Sequence, residues 1–312
     1  MNGRNRHNKY RRSIYRRHNI GIIILISVIA FIVLLVSFLI VGNILHRQSE
    51  KRNEQNTETE ETTLIENTDA VKVDVPSIKG HSVLLETTDT TFISDRLDAL
   101  TNKQIYAASI PLNTKDGTLL YKSSIAASIG YPAGTANVTL SKAVSTAEQK
   151  NIYLSGVFYV NAFSENDPLL RSVELSKDAA IIAEALSEGF GDVVIIAPHM
   201  TEEHIDEVIR FVDDIRTLSD GGAIGLTVSD SILELEAPQR TSEIISVLNE
   251  KIDFLAINLP NREISEMINT NKLYIHMYKM RVLLPFSENT DEQNTFVSAV
   301  DENGITNWQI IQ

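Results

Sequence analysis

Three observations predict that this chain folds as an α/β protein, a (β/α)8 TIM-type barrel. Eight short apolar runs follow one another from Gly80 onward, amphipathic helical patterns separate them, and no glycine-rich phosphate loop follows the first run. Alternating strand and helix implies a parallel sheet. Eight such units point to closure into a barrel. The alternative, an open doubly wound sheet, carries a glycine-rich turn after its first strand, and Leu85-Glu-Thr-Thr-Asp-Thr contains no glycine.

The strand-like runs are Ser82–Leu85, Ile105–Leu112, Ile152–Val160, Val193–Ala197, Ala223–Val228, Phe254–Leu259, Val282–Phe286 and Trp308–Ile311. Most are nearly continuous in apolar residues, as strands buried on both faces must be. Helical patterns fit Phe92–Leu100, Leu140–Gln149 and Asp178–Glu188. Thr201 with Glu202 and Glu203 marks a helix start whose carboxylates suit the positive end of the dipole. Pro238 opens the next helix, Asn261 caps another, and Thr290 with Gln293 reads as a capping box. The chain stops at the eighth run, so the barrel is expected to lack its last helix. Val71–Lys79 is the candidate cover for that wall.

Ahead of the barrel the sequence predicts one transmembrane helix and a disordered linker. Residues 20–45 carry no charge, and the basic head, residues 1–19, holds seven Lys and Arg and no acid. About 20 apolar residues span a bilayer core, and Lys and Arg beside a span favour the cytoplasmic side. The run is too long for a cleaved signal peptide. The expected location is therefore the cell membrane, single-pass, with the C-terminal domain (residues 78–312) extracytoplasmic. Residues 46–77 are polar, charged and aperiodic, a composition that does not order itself. As a flexible coil this linker reaches roughly 30 Å.

Composition narrows the partners. Beyond the first 45 residues, 21 Lys and Arg face all 41 Asp and Glu, a net charge of −20. Such a surface argues against nucleic acid. The absence of cysteine excludes disulfides and zinc–thiolate sites. No cofactor is implied. His199 and His204 are five apart, whereas the related metal motif needs four on one helical face, so no metal site is expected.

In a (β/α)8 barrel the functional face lies at the strand C-termini. The sequence places Glu86 after the first strand and Asn113, Lys115 and Asp116 after the second. Asn161, Phe163 and Glu165 follow the third, His199 the fourth, Asp230 the fifth and Glu288 the seventh, with Asn258 just inside the sixth.

Glu188-Gly-Phe-Gly-Asp-Val-Val-Ile-Ile-Ala-Pro resembles the fourth strand of chitinase-like glycoside hydrolases, barrels that include spore-germination and peptidoglycan-active enzymes. Asp116-Gly-Thr-Leu, Asn151-Ile-Tyr-Leu-Ser-Gly-Val-Phe-Tyr-Val-Asn, Ile252-Asp-Phe-Leu-Ala-Ile-Asn-Leu-Pro and Gly304-Ile-Thr-Asn-Trp-Gln-Ile-Ile resemble their second, third, sixth and eighth strand regions. A related group of bacterial glycosidase domains fits almost as well. The resemblance implies acids at the end of strand four. Those positions fall on Gly191, Val194, Ile196 and Pro198, and Asp192 lies at the opposite end of the strand. The residues matched after strand six are Pro260 and Asn261. The resemblance also gives Trp308 a sugar-stacking role, against plain core packing.

Glycoside hydrolysis needs a proton donor and usually a second carboxylate. Valine, isoleucine and proline transfer no proton. The expectation is a barrel without catalysis that binds a glycan, such as cell-wall material, or an envelope protein. Its ligand-binding candidates are Asn113, Asn161, Phe163, His199, Asn258 and Trp308. One alternative is an active glycosidase using relocated carboxylates drawn from Glu86, Asp116, Asp230 and Glu288. Another is a structural subunit of a membrane complex.

Overall fold

The computed structural model describes residues 72–83, 90–134, 136–235, 237–259 and 264–311. Eight parallel strands pair in chain order and β8 closes on β1. The strands are β1 (Lys79–Ser82), β2 (Ala107–Pro111), β3 (Tyr153–Tyr159), β4 (Asp192–Ile196), β5 (Ala223–Val228), β6 (Phe254–Asn258), β7 (Arg281–Pro285) and β8 (Trp308–Ile311). The helices are α1 (Thr90–Asn102), α2 (Ala126–Ile129), α3 (Leu140–Gln149), α4 (Pro168–Ser187), α5 (Ile205–Leu218), α6 (Asp230–Leu233), α7 (Pro238–Lys251), α8 (Ile264–Met277) and α9 (Thr290–Glu302). Among the described residues no helix is long and apolar enough to cross a membrane. The apolar run Ile20–Leu45 and most of the linker lie outside the described residues.

Two expected elements shift. β1 forms three residues earlier than Ser82–Leu85 because its register is set from inside. A Cβ on Gly80 would lie 3.0 Å from Cβ of Gln309, so only a minimal residue fits there. Helix α4 starts ten residues before the expected Asp178. Pro168 occupies its first turn and the Asp167 side chain accepts from the Leu169 amide at 2.9 Å. Leu169, Leu170 and Val173 on this first stretch are exposed, so it shows no amphipathic period.

The capping box expected at Thr290 is corrected. Asn289 is the cap, its side chain accepting from the Asp291 and Glu292 amides at 3.0 and 3.4 Å. Gln293 instead reaches back to the Ser287 amide at 2.8 Å. The expected cap Asn261 lies outside the described residues.

Residues 72–78 do not cover the wall beside β8. They cross the strand N-terminal end of the barrel and close it. The Val73 amide donates to Asp253 Oδ1 at 2.9 Å, and the Ile78 amide to Asn307 Oδ1 at 3.2 Å. The Trp308 amide donates to the Ile78 carbonyl at 2.8 Å, and Val75 packs on the barrel's interior cluster. Asp253 bolts this closure down. Its other oxygen accepts from the Ile224 amide at 2.8 Å, and Arg216 Nη2 lies 3.2 Å from Oδ1. Lys72–Ser77, read from sequence as the end of the linker, thus packs against the barrel.

The loop from β2 to α3 is the longest connection. It folds against α4 through two acids. Glu184 accepts from Tyr121 Oη, Ser123 Oγ, Ser124 N and Ser124 Oγ at 2.6–2.9 Å. Asp178 accepts from Tyr131 Oη at 2.8 Å.

Candidate functional site

Pairing register decides which side chains face the barrel interior, because alternate residues of a strand point to opposite faces. The inward set divides into two zones. Nearer the strand N-termini it is largely polar, with Ser109, Ser155 and Asp192 in register and Arg281 and Gln309 facing them, beside the apolar Ala223 and Phe254. Toward the strand C-termini it is mainly apolar, with Val157, Tyr159, Val194, Ile196, Ala256, Leu283 and Ile311 in one cluster.

The polar floor centres on an ion pair with no solvent exposure on either side chain. Arg281 Nη1 donates to Asp192 Oδ1 at 2.9 Å, and Nη2 lies 2.9 Å from Oδ2, off the hydrogen-bond axis. Tyr153 Oη donates to Asp192 Oδ2 at 2.8 Å and Ser155 Oγ donates to Oδ1. Gln309 Oε1 accepts from Arg281 Nη1 at 3.1 Å and lies 2.9 Å from Ser155 Oγ, whose one proton goes to Asp192. The guanidinium sits 4.1 Å from the centroid of the Phe254 ring. Both charges are thus multiply bonded, which is what a buried pair requires to offset its desolvation. Burial and the Asp192 charge push the Tyr153 phenol upward, so it stays a donor. Asp192 stands at the start of β4, as the sequence implies, and far from the mouth.

At the mouth the last described inward positions are Ser82, Pro111, Tyr159, Ile196, Thr227, Asn258, Pro285 and Ile311. None of these is a carboxylate. Tyr159 is buried and its phenol is pushed up by that burial. Thr227 Oγ1 donates to the Ile195 carbonyl at 3.2 Å and accepts from the Ala197 amide at 3.3 Å, so its hydroxyl is spent on β4. Asn258 is half-buried and is the inward amide of this layer.

The remaining candidates separate by what they touch. Asn113 is buried and acts as an extra ladder rung. Its Nδ2 donates to the Tyr159 carbonyl at 2.9 Å and its Oδ1 accepts from the Tyr159 amide at 2.8 Å. It is a structural clamp, and Asn113→Ala is expected to cost about 1–3 kcal/mol, measured as a shift in urea midpoint. Asn161 Nδ2 donates to the Lys115 carbonyl at 2.8 Å, tying the loops after β2 and β3 together. Phe163 is buried and its ring lies 5.2 Å from that of His204. His204 Nδ1 accepts from the Thr201 amide at 3.1 Å, which puts the ring proton of neutral His204 on Nε2. His199 is exposed in the turn after β4. Among the described residues no group of three or more His, Asp or Glu side chains could hold a metal.

Trp308 is not at the mouth. It begins β8 at the opposite end and, because Gln309 points inward, faces outward. It packs with α8 and α9 residues and stands edge-on to His81 with ring centroids 5.6 Å apart. The structure therefore assigns it the packing role.

The candidate carboxylates stay apart. Asp116 is exposed in the turn after β2. The hydroxyl hydrogen bond from Thr114 holds its carboxyl below the usual range, the wrong direction for a general acid. Asp230 opens α6 and Glu288 lies in the turn after β7, both exposed. No described hydrogen bond joins any two of them. Glu86, Pro260 and Asn261 lie outside the described residues.

Sequence reasoning missed one exposed aromatic on the outer side of the rim, next to the inward Pro285. Phe286 directly follows β7, its amide donates to the Ile311 carbonyl at 2.8 Å, and its side chain is 44% exposed. An exposed aromatic at a strand C-terminus is a stacking surface. Its signal was present in the sequence as an apolar residue abutting Ser287-Glu-Asn, but it read as the last residue of a buried strand.

No family model matches the sequence, and no curated protein is detectably similar to it. Solved structures are similar in fold. A GH113 β-mannanase from Alicyclobacillus acidocaldarius superposes with a TM-score of 0.51 at 11% identity, covering 77% of this chain and 88% of that one. A second GH113 β-1,4-mannanase gives a TM-score of 0.52 at 8% identity, covering 76% and 88%. An endo-1,4-β-mannanase from Rhizomucor miehei gives 0.50 at 10%, covering 76% and 86%. The fold is that of glycoside hydrolase barrels. At these identities the likeness concerns the fold alone.

Proposed function

We propose that this chain is a membrane-tethered, extracytoplasmic barrel that binds glycan chains at its mouth without cleaving them. One observation carries the reading: the described inward positions at the mouth hold no carboxylate, while Asp192, the inward acid of β4, is neutralised by Arg281 at the far end. Glycosidic cleavage asks for a proton donor placed at the bond, and Asp116, the acid of the β2 loop, is biased toward staying ionised. Asn258 offers an inward amide at the mouth, and Phe286, which alternates outward after the inward Pro285, offers an exposed apolar face on the rim. The glycosidase-like fold and the basic head with its apolar run support the glycan and the tether.

The test uses the folded unit, residues 69–312, with mannan, chitin and peptidoglycan oligosaccharides. Calorimetry reports binding and a reducing-end assay reports cleavage. Binding without turnover is expected, and Phe286→Ala should weaken it about tenfold, the loss of roughly 1–2 kcal/mol of apolar contact. The runner-up is an active glycosidase with relocated acids. Turnover abolished by Glu86→Gln, Asp230→Asn or Glu288→Gln would establish it and sink the leading reading.

A further inference from the structure

We propose that the face formed by the C-terminal end of α8 and the barrel's closing segment docks onto an anionic lipid surface, so that the mouth points away from the membrane. The inference rests on the tether of the proposed function and adds an orientation to it.

Among the described residues, two groups of neighbouring exposed apolar side chains differ in their charges. Leu169, Leu170 and Val173 lie on the first turns of α4, at the mouth end, and are 79%, 54% and 52% exposed. Their charged neighbours in sequence are Glu165, Asp167 and Glu174, and Arg171 is already paired with Glu207 at 2.7 Å. An anionic bilayer repels that patch. Leu273 and Met277 lie one turn apart near the end of α8, 66% and 60% exposed. Met277 lines a depression of about 500 Å3 together with Lys72, Val73 and Lys279; the acids of its lining are Asp74 and Asp253, and Asp253 is paired with Arg216. Lys272 adjoins Leu273, and Val73 is itself 42% exposed.

The second patch therefore combines apolar side chains with lysines on a domain whose net charge is strongly negative. Lysine on a long stem can hold its ammonium at headgroup level while apolar neighbours enter the interface. Each Lys near an anionic surface adds attraction that decays within a Debye length. Lys72 lies inside this patch, and the sequence N-terminal to it is the proposed tether. The linker alone would let the barrel turn freely within roughly 30 Å of the bilayer. Docking removes that freedom and leaves the strand C-termini facing outward.

The chain has no cysteine, so single-cysteine labelling reports one position at a time. Full-length Met277→Cys and Leu169→Cys variants carry an environment-sensitive fluorophore and are reconstituted into phosphatidylcholine vesicles with or without about 30% phosphatidylglycerol. Flotation with the vesicles checks the tether separately. The expected result is a blue-shifted label at position 277, protected at least about twofold from aqueous quencher, only with the anionic lipid. That shift should vanish near 0.5 M salt, where the Debye length is roughly 4 Å, and in the Leu273→Glu background. The label at position 169 should stay aqueous throughout. Flotation without a shift at 277, or a shift at 169 instead, overturns the docking and leaves the tether standing. A shift at 277 equal in both vesicle types overturns the lipid-charge basis. Failure to float removes the tether, and position 277 is then tested by adding vesicles to the same protein.

Discussion

Replacing Arg281 with methionine is expected to lower the unfolding free energy by about 3–5 kcal/mol. The mechanism is an orphaned charge. Asp192 would keep Tyr153 and Ser155 as donors but lose its counter-ion in a site closed to solvent. The same substitution removes the cation from the Phe254 ring and takes the Arg281 donor away from Gln309 Oε1. For a domain of this size the melting temperature should fall on the order of 10 °C. The companion variant Arg281→Met with Asp192→Leu removes both charges together. It should recover much of the loss, because the pair's net contribution is small even though breaking it is costly. Thermal denaturation of the two variants beside the parent checks this. A double variant as unstable as the single one would mean the floor is held by shape rather than by charge.

Asp178→Asn is expected to stabilise the protein at alkaline pH and flatten its stability profile. Burial of Asp178 on α4 beneath the β2–α3 loop, offset in part by the Tyr131 hydrogen bond, raises its carboxyl from 3.8 to about 7. The neighbouring Glu174 adds to the rise and Lys177 opposes it. Because the folded value lies above the unfolded one, the folded state holds a proton that the unfolded state has lost between about pH 4 and pH 7. Stability from this group is fully present below pH 4 and is lost as pH rises through 7. Asparagine keeps an acceptor for Tyr131 and cannot ionise. The variant should gain about 2–4 kcal/mol over the parent at pH 8 and little at pH 4. Urea titrations at the two pH values measure it. Parallel profiles for parent and variant would contradict the assignment.

The contrast between these two acids shows what patterns in a sequence can carry. Val193 to Ala197 reads as a buried strand from its apolar run, and Asp192 reads as lying at the far end from the mouth; the strand forms at Asp192–Ile196. Arg281 could not be matched to it, since the two meet only when the barrel closes, 89 positions apart. Asn113 is a ligand candidate by its strand position, and Trp308 by the resemblance, with core packing as its other reading. One proved to be a ladder rung and the other an outward-facing core residue, because a side chain's partner depends on register and on which face alternation selects. Leu169 and Leu170 obscured the start of α4, since exposed leucines break the amphipathic period that marks a helix.

The chain's own order of residues determined the barrel: eight apolar runs, separated by helices with recognisable starts, leave a closed parallel sheet as the packing that buries them all. It also determined the charge balance and the positions where acids are missing from the end of β4. Tertiary structure alone decided that Lys72–Ile78 closes the barrel end rather than its wall, that Phe286 stands exposed on the rim, and that the charged pair lies buried toward the strand N-termini. Local pattern is set by neighbours a few residues away, whereas each of these depends on groups brought together across the barrel.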